Sequence, residues 1–210
     1  MKTAIFVNGE IQNYEFIRQL NYDYIIACDG GLRHCHRLHI MPNYIVGDLD
    51  SAPPEILKYY QNIPVLKFPS EKDFTDLELA IAHAREAGAT SLEILGGFGG
   101  RFDHQLANVH VLAQAKLPAI MRDESTRLQV LSDSCSLNVE DGVLVSLIPL
   151  TSTVEGVTSA GLKYTLNEAS LSVGYAIGVS NEIVKESADI YLKKGMLLVI
   201  QIKEKKSGEV

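Results

Sequence analysis

The chain has 210 residues, 46% of them hydrophobic and 21% charged, which suits one large globular domain or two small ones. A formal net charge of −7 argues against nucleic acid or an anionic membrane as the main partner, although a bound metal and a few local cations can still hold phosphates on an acidic protein. No stretch approaches the ~20 apolar residues of a membrane span, and the N-terminus is too short an apolar run for a signal peptide. Three cysteines without CxxC spacing fit a reducing cytosol better than a disulfide framework or a zinc site.

In chain order, residues 3–7 read as a buried strand ending at Asn8-Gly9. Residues 14–20 are a short helix, and 23–28 a second apolar strand ending in Asp29-Gly30-Gly31. Residues 32–39 carry helical spacing; their histidines, His34, His36 and His39, read as helix-face or surface residues. Residues 44–47 are a third strand, 54–61 a helix with proline in its first turn, and 64–68 a fourth strand. The clearest helix follows, with Phe74, Leu77, Ala80, Ile81 and Ala84 at three- and four-residue intervals and Gly88 as the stop. Residues 91–95 form a strand, about 103–116 a helix and 118–121 another strand.

This alternation implies a mostly parallel sheet with helices on both faces, and ligands in such sheets bind beyond the carboxyl ends of the strands. After about Glu124 the pattern becomes short β-like runs, at 128–131, 143–148, 171–173, 190–192 and 196–202, with no helix. The expected fold is α/β over residues 1–124, followed by an antiparallel β-sandwich domain over 125–210.

Three polar loops converge on the ligand edge of the parallel sheet. Gly47-Asp48-Leu49-Asp50-Ser51 closes an apolar strand with two carboxylates one residue apart, which an extended backbone would point the same way. Paired like charges call for an offsetting cation, and oxygen ligands suit Mg²⁺; a plain polar turn before Ala52-Pro53-Pro54 is the simpler alternative. Asp73 either caps its helix, with Asp76 in the favourable first turn, or reaches the same cation, leaving Lys72 to meet a phosphate. Gly96-Gly97-Phe98-Gly99-Gly100-Arg101 holds more glycine than a turn needs, and its amides together with the Arg101 fork suit a phosphate. It is neither GxGxxG nor GxxxxGK[ST]. Asp29-Gly30-Gly31 either admits a ligand or makes a turn. Residues 178–182 either connect a hairpin or offer Ser180 and Asn181 to a polar ring.

Taken together, Asp29-Gly30-Gly31, Gly47-Asp48-Leu49-Asp50-Ser51, Lys72-Asp73-Phe74-Thr75-Asp76, the glycine turn continuing through Arg101-Phe102-Asp103-His104, and Ser180-Asn181 occur in an order that resembles thiamine pyrophosphokinases. The resemblance covers nearly the whole chain. It implies transfer of the terminal pyrophosphate of ATP to the hydroxyethyl group of thiamine, giving thiamine diphosphate and AMP. It also implies Mg²⁺, a cytoplasmic homodimer, and thiamine held between one subunit's α/β domain and the other's β domain. Carried over by motif, Asp48, Asp50 and Asp73 serve the metal, and Asp76, Arg101 and Asp103 complete the catalytic set. Asp29, Gly30, Gly31, Ser51, Lys72, Gly97, Gly100, Arg101 and His104 bind ATP, while Ser180 and Asn181 contact thiamine. Family members often stack an aromatic ring, tryptophan in some, on thiamine; this chain has no Trp, and Tyr164 and Tyr175 are the candidates. The rival readings are a metal-dependent nucleoside-phosphate hydrolase and a non-catalytic thiamine or nucleotide sensor.

Overall fold

The computed structural model describes residues 1–50, 52–67 and 73–203, and the chain divides into two units, Met1–Glu124 and Ser125–Val210. In the first unit, strands and helices alternate: β1 Lys2–Phe6, α1 Tyr14–Arg18, β2 Tyr24–Cys28, α2 Leu32–Leu38, β3 Tyr44–Val46, α3 Pro54–Tyr59 and β4 Val65–Leu66. Then come α4 Asp76–Glu86, β5 Ser91–Leu95, α5 Phe102–Ala113 and β6 Ala119–Arg122. The strands lie in the order β6-β5-β1-β2-β3-β4, and every pair among them is parallel.

Alternate residues of each strand face opposite ways. Ala4 and Phe6 pack with Ala27 and Ile45 against Ile17, Leu32, Cys35 and Tyr60 from α1, α2 and α3. The alternating set, Ile5, Ile26 and Val46, is equally buried, and α4 lies against β1, β2 and β3. Two faces are thus covered, which leaves the end where β1, β2, β3 and β5 finish as the place expected for polar chemistry.

Several boundaries shift by one to three residues from the sequence expectation, two of them in helices beside the site. α4 begins at Asp76, with Thr75 as its cap, because Thr75 and Glu78 satisfy each other's backbone N–H in a capping box; Asp73 lies outside the helix. α5 ends at Ala113 and buries only Leu112 of its length. The expected strand residue Phe68 falls outside the described residues.

The second unit contains β7 Thr126–Leu131, β8 Ser134–Asn138, β9 Leu144–Pro149, β10 Thr153–Ala160, β11 Ala169–Ser172, β12 Asn181–Glu182, β13 Ser187–Tyr191 and β14 Leu197–Ile202. They form two antiparallel layers, β12-β9-β14-β7 and β11-β10-β13-β8. Inward residues of both layers, among them Val145, Leu147, Val199, Leu137, Val157 and Ile190, make one core, which is sandwich packing. β8, β10 and β12 were not expected. β8 is polar at every position but Cys135 and Leu137, and β10 carries a register shift between Val154 and Val157, with Gly156 at φ 68, which breaks its two-residue period.

Candidate active site

The acidic part of the site is built by two turns. β2 runs out at Cys28 into a short 3₁₀ turn, Asp29–Gly31, and β3 runs out at Val46 into Gly47. Gly47 has φ 133, and a Cβ there would lie 3.1 Å from Asp29 Cβ and 3.4 Å from Asp76 Cγ, so the two aspartate side chains crowd this glycine. The next residues are not extended. Leu49 is left-handed at φ 68, and the Asp50 N–H donates to Asp48 Oδ1 at 3.2 Å. A turn, not the pleat of a strand, therefore brings Asp48 and Asp50 together.

Asp29 joins them: ligand atoms of Asp29, Asp48 and Asp50 lie within 4.8 Å of one another. Asp29 also has positive φ, 43, and such backbone costs roughly 1–3 kcal/mol per non-glycine residue. Its Oδ1 is buried with no hydrogen-bond partner among the described residues. Three mutually repelling carboxylates with one orphaned oxygen suit a hard divalent cation. Asp73, expected in this group, is exposed and outside it, because the helix cap falls to Thr75 and leaves Asp73 upstream. Ser51 and Lys72 lie outside the described residues. Gly30 and Gly31 are buried against the Asn8 side chain and the Phe6 carbonyl; packing on β1 is what requires glycine there.

The glycine turn 96–100 is braced by the loop after β1. Gly9 N–H donates to Gly96 O and Glu10 N–H to Phe98 O, each at 2.7 Å. In a trans peptide the carbonyl and the following N–H point opposite ways, so the Gly97 and Gly99 amides face away from the Gly9 loop. Asn108 Nδ2 donates to Gly97 O at 3.2 Å. A cavity of about 610 Å³ is lined by Asp29, Asp48 and Asp76 together with Gly97, Gly99, Gly100, Arg101 and His104. That volume suits a nucleotide-sized ligand. Arg101 Nε and Nη2 grip Asp103 Oδ1 and Oδ2 at 3.1 and 2.6 Å. The Arg101 hydrogen bonds pull the Asp103 carboxyl down to about 2, so this carboxylate is a poor base.

In the second unit, Ser180 is exposed, left-handed at φ 58, and its N–H donates to Ser146 Oγ. Asn181 is 7% exposed: Oδ1 accepts from the Tyr164 and Glu182 N–H groups, and Nδ2 donates to Tyr164 O at 2.7 Å. Its amide thus holds the Tyr164 backbone in place. Tyr164 and Tyr175 both leave their rings exposed.

Two family models match: "Thiamin pyrophosphokinase, catalytic domain" over residues 19–121, and "Thiamin pyrophosphokinase, vitamin B1 binding domain" over 134–197. The chain belongs to the thiamine pyrophosphokinase family. Relatives agree with this. A thiamine pyrophosphokinase of Oryza sativa subsp. japonica is 29% identical over 189 residues, covering 80% of this chain and 69% of its own. The Bacillus subtilis (strain 168) thiamine pyrophosphokinase is 29% identical over 77% of this chain and 79% of its own. The crystal structure of a Geobacillus thermodenitrificans thiamin pyrophosphokinase superposes with a TM-score of 0.87 at 28% identity, covering 100% of both chains. The activity is accordingly that of a thiamine pyrophosphokinase, an ATP-dependent enzyme.

Within this thiamine pyrophosphokinase fold, sequence reasoning missed the residues behind the glycine turn: Asn8, Gly9, Arg33, His34 and Asn108. Gly9 carried a signal, as a glycine ending a strand at the ligand edge. A Cβ there would sit 2.1 Å from Gly96 O and 2.3 Å from Phe98 O. His34 carried none. Its place in the helical spacing suggests a helix face or the surface; it is instead buried, because its partners come from α1 and the β1 loop.

Proposed function

We propose that Asp29, Asp48 and Asp50 hold Mg²⁺ beside the triphosphate of ATP, while the glycine turn and Arg101 receive phosphate oxygens in the same cavity. The observation that carries this reading is the acidic group with its buried Asp29 Oδ1, unpartnered among the described residues, two of whose members, Asp29 and Asp48, line one cavity with Gly97, Gly99 and Arg101. Bound there, Mg²⁺ would neutralise phosphate charge and polarise the reacting phosphoryl group. The residues of the chain supply positioning. Asp48 and Asp50 are fixed by the Leu49 turn, and the Gly97 and Gly99 amides are set by their peptide planes. Arg101 exchanges Asp103 for phosphate and takes charge that develops as AMP leaves. The thiamine hydroxyl attacks the β-phosphorus in line. Asp76, which lines the cavity, accepts its proton in preference to Asp103, which is not among the residues lining it.

Thiamine is placed on the second unit, around Tyr164, Tyr175 and Ser180, with a second copy of the chain completing the site. Support for a homodimer comes from apolar side chains left open in each unit. On α5, Phe102 is 76% and Leu106 49% exposed, four residues apart on one helix face. Between β11 and β12, Val173, Tyr175, Ile177 and Val179 are exposed in a row. Such surfaces ask for a partner. Buried thiols at Cys28 and Cys35, with no disulfide, fit the cytoplasm.

AMP release from ATP, measured with and without thiamine and with Mg²⁺ removed by chelation, tests the reading. AMP formed in proportion to thiamine, and lost on chelation, is the expected result. AMP formed regardless of thiamine would point to a hydrolase, and saturable binding without AMP to a sensor.

A further inference from the structure

Behind the glycine turn stands a pair of consecutive residues on α2, Arg33 and His34, outside the group of Asp29, Asp48 and Asp50. His34 is 1% exposed. Its Nε2 lies 2.9 Å from Gly9 O and its Nδ1 2.7 Å from the Tyr14 hydroxyl. A carbonyl oxygen only accepts, so Nε2 carries the proton; Nδ1 is then the acceptor, and Tyr14 donates to it. One tautomer satisfies both contacts. Burial drives the ring down to about 4, so it is neutral at physiological pH, as that tautomer requires. Arg33 Nη2 donates to Asn8 O at 2.9 Å and to Gly9 O at 2.7 Å, and its Nη1 donates to Asn8 Oδ1.

These bonds continue through peptide planes. The Asn8–Gly9 peptide takes a bond from Arg33 on its carbonyl and passes one from its N–H to Gly96 O. The Gly96–Gly97 peptide then presents the Gly97 N–H on the far side. In parallel, the Gly9–Glu10 peptide takes bonds from Arg33 and His34 on its carbonyl and passes one to Phe98 O. The Phe98–Gly99 peptide presents the Gly99 N–H. Gly97 and Gly99 both line the cavity. A Cβ on Gly96 would come within 3.2 Å of His34 Nε2, so the ring sits directly against this turn. Hydrogen-bonded amides in series polarise one another, and a cation at the start of the series adds in the same sense.

We propose that Arg33 and His34 are positioning residues for ATP: through two parallel peptide relays they aim and polarise the Gly97 and Gly99 amides at the phosphates. The proposal rests on the reading of this turn as the phosphate site. Neither residue touches the ligand, so their loss should weaken ATP recognition and spare thiamine recognition.

The test measures KM for ATP, KM for thiamine, kcat and Tm in Arg33→Leu, His34→Leu, His34→Gln and Cys35→Ala. Cys35 is fully buried on the same helix, in the apolar cluster with Phe6 and Leu38, and takes no part in the relay hydrogen bonds, so its truncation reports on destabilisation. Arg33→Leu and His34→Leu are each expected to raise KM for ATP about tenfold, with KM for thiamine unchanged. His34→Gln, whose amide can still donate to Gly9 O, should return KM for ATP toward the parent value. If His34→Leu does not fold, Arg33→Leu, altered at an exposed side chain, decides the matter. Unaltered KM for ATP in Arg33→Leu, or a rise no greater than Cys35→Ala gives, overturns the proposal. A parent protein that makes no thiamine-dependent AMP overturns the functional reading instead, so the two failures are distinct.

Discussion

After β3 the chain turns through Asp48-Leu49-Asp50 with the Asp50 N–H bonded to Asp48 Oδ1 and a left-handed leucine between them, Asp48 half-buried and Asp50 exposed. After β5 it turns through 96–100 with two carbonyls tied to Gly9 and Glu10 and a buried imidazole behind them. Both turns end strands of one parallel sheet, yet one gathers like charges and the other is braced before any ligand arrives. The difference fits the proposed ligands. A cation replaces charge repulsion with attraction, so gathered carboxylates suit the acidic turn. A phosphate gains from donors already aimed, so the glycine turn gains from being braced.

The sharpest way to break the comparison is Asp48→Asn. Thiamine-dependent AMP formation should fall by about 100-fold or more, while Tm in the absence of Mg²⁺ stays level or rises, because a like charge has been removed. A variant that keeps normal turnover at matched Mg²⁺ would end the metal assignment. Gly9→Ala should have the opposite character. Its Cβ would meet Gly96 O at 2.1 Å and Phe98 O at 2.3 Å, so the brace must open. Denaturant melts should show a loss of about 1–3 kcal/mol, with a raised KM for ATP. If stability is unchanged, the close approach is not maintained in solution.

A smaller effect concerns acid. His34 titrates at about 4 in the folded protein against 6.5 for the free side chain, so between these values the unfolded chain binds more protons than the folded one. The stability held above pH 6.5 is therefore lost progressively as pH falls toward about 4. Urea unfolding at a series of pH values should show this decline, and His34→Gln should flatten it. The smallest change is expected at Asp103. Its carboxyl is depressed from 3.8 to about 2, so it stays ionised until pH falls through that value. Asp103→Asn should leave the shape of the pH–rate profile unchanged between about pH 5 and 8. A limb of the profile that vanishes in the variant would restore Asp103 as a proton acceptor.

The sheet was readable because its strands are continuous apolar runs between periodic helices, as burial on both faces demands. The acidic and glycine turns were readable for the same reason: they interrupt such runs with residues a buried core does not tolerate. What the sequence concealed depends on contacts far apart along the chain. The third carboxylate of the acidic group is Asp29, brought across from the next strand by its 3₁₀ turn, and local spacing pointed to Asp73 instead. His34 reaches Gly9, 25 residues away. In the second unit, β8, β10 and β12 hid because polar positions, a bulge and a length of two residues erase the alternation that marks a strand.

The bidentate grip of Arg101 on Asp103 means that the guanidinium is never idle. Any incoming anion has to displace a carboxylate already matched to its fork. Chloride or a monocarboxylate offers less than what it would evict, whereas a doubly charged phosphate offers more. Under the proposed phosphate role of Arg101, the protein's own side chain acts as a placeholder that screens the traffic, holding the arginine for the cargo rich enough in charge to take it.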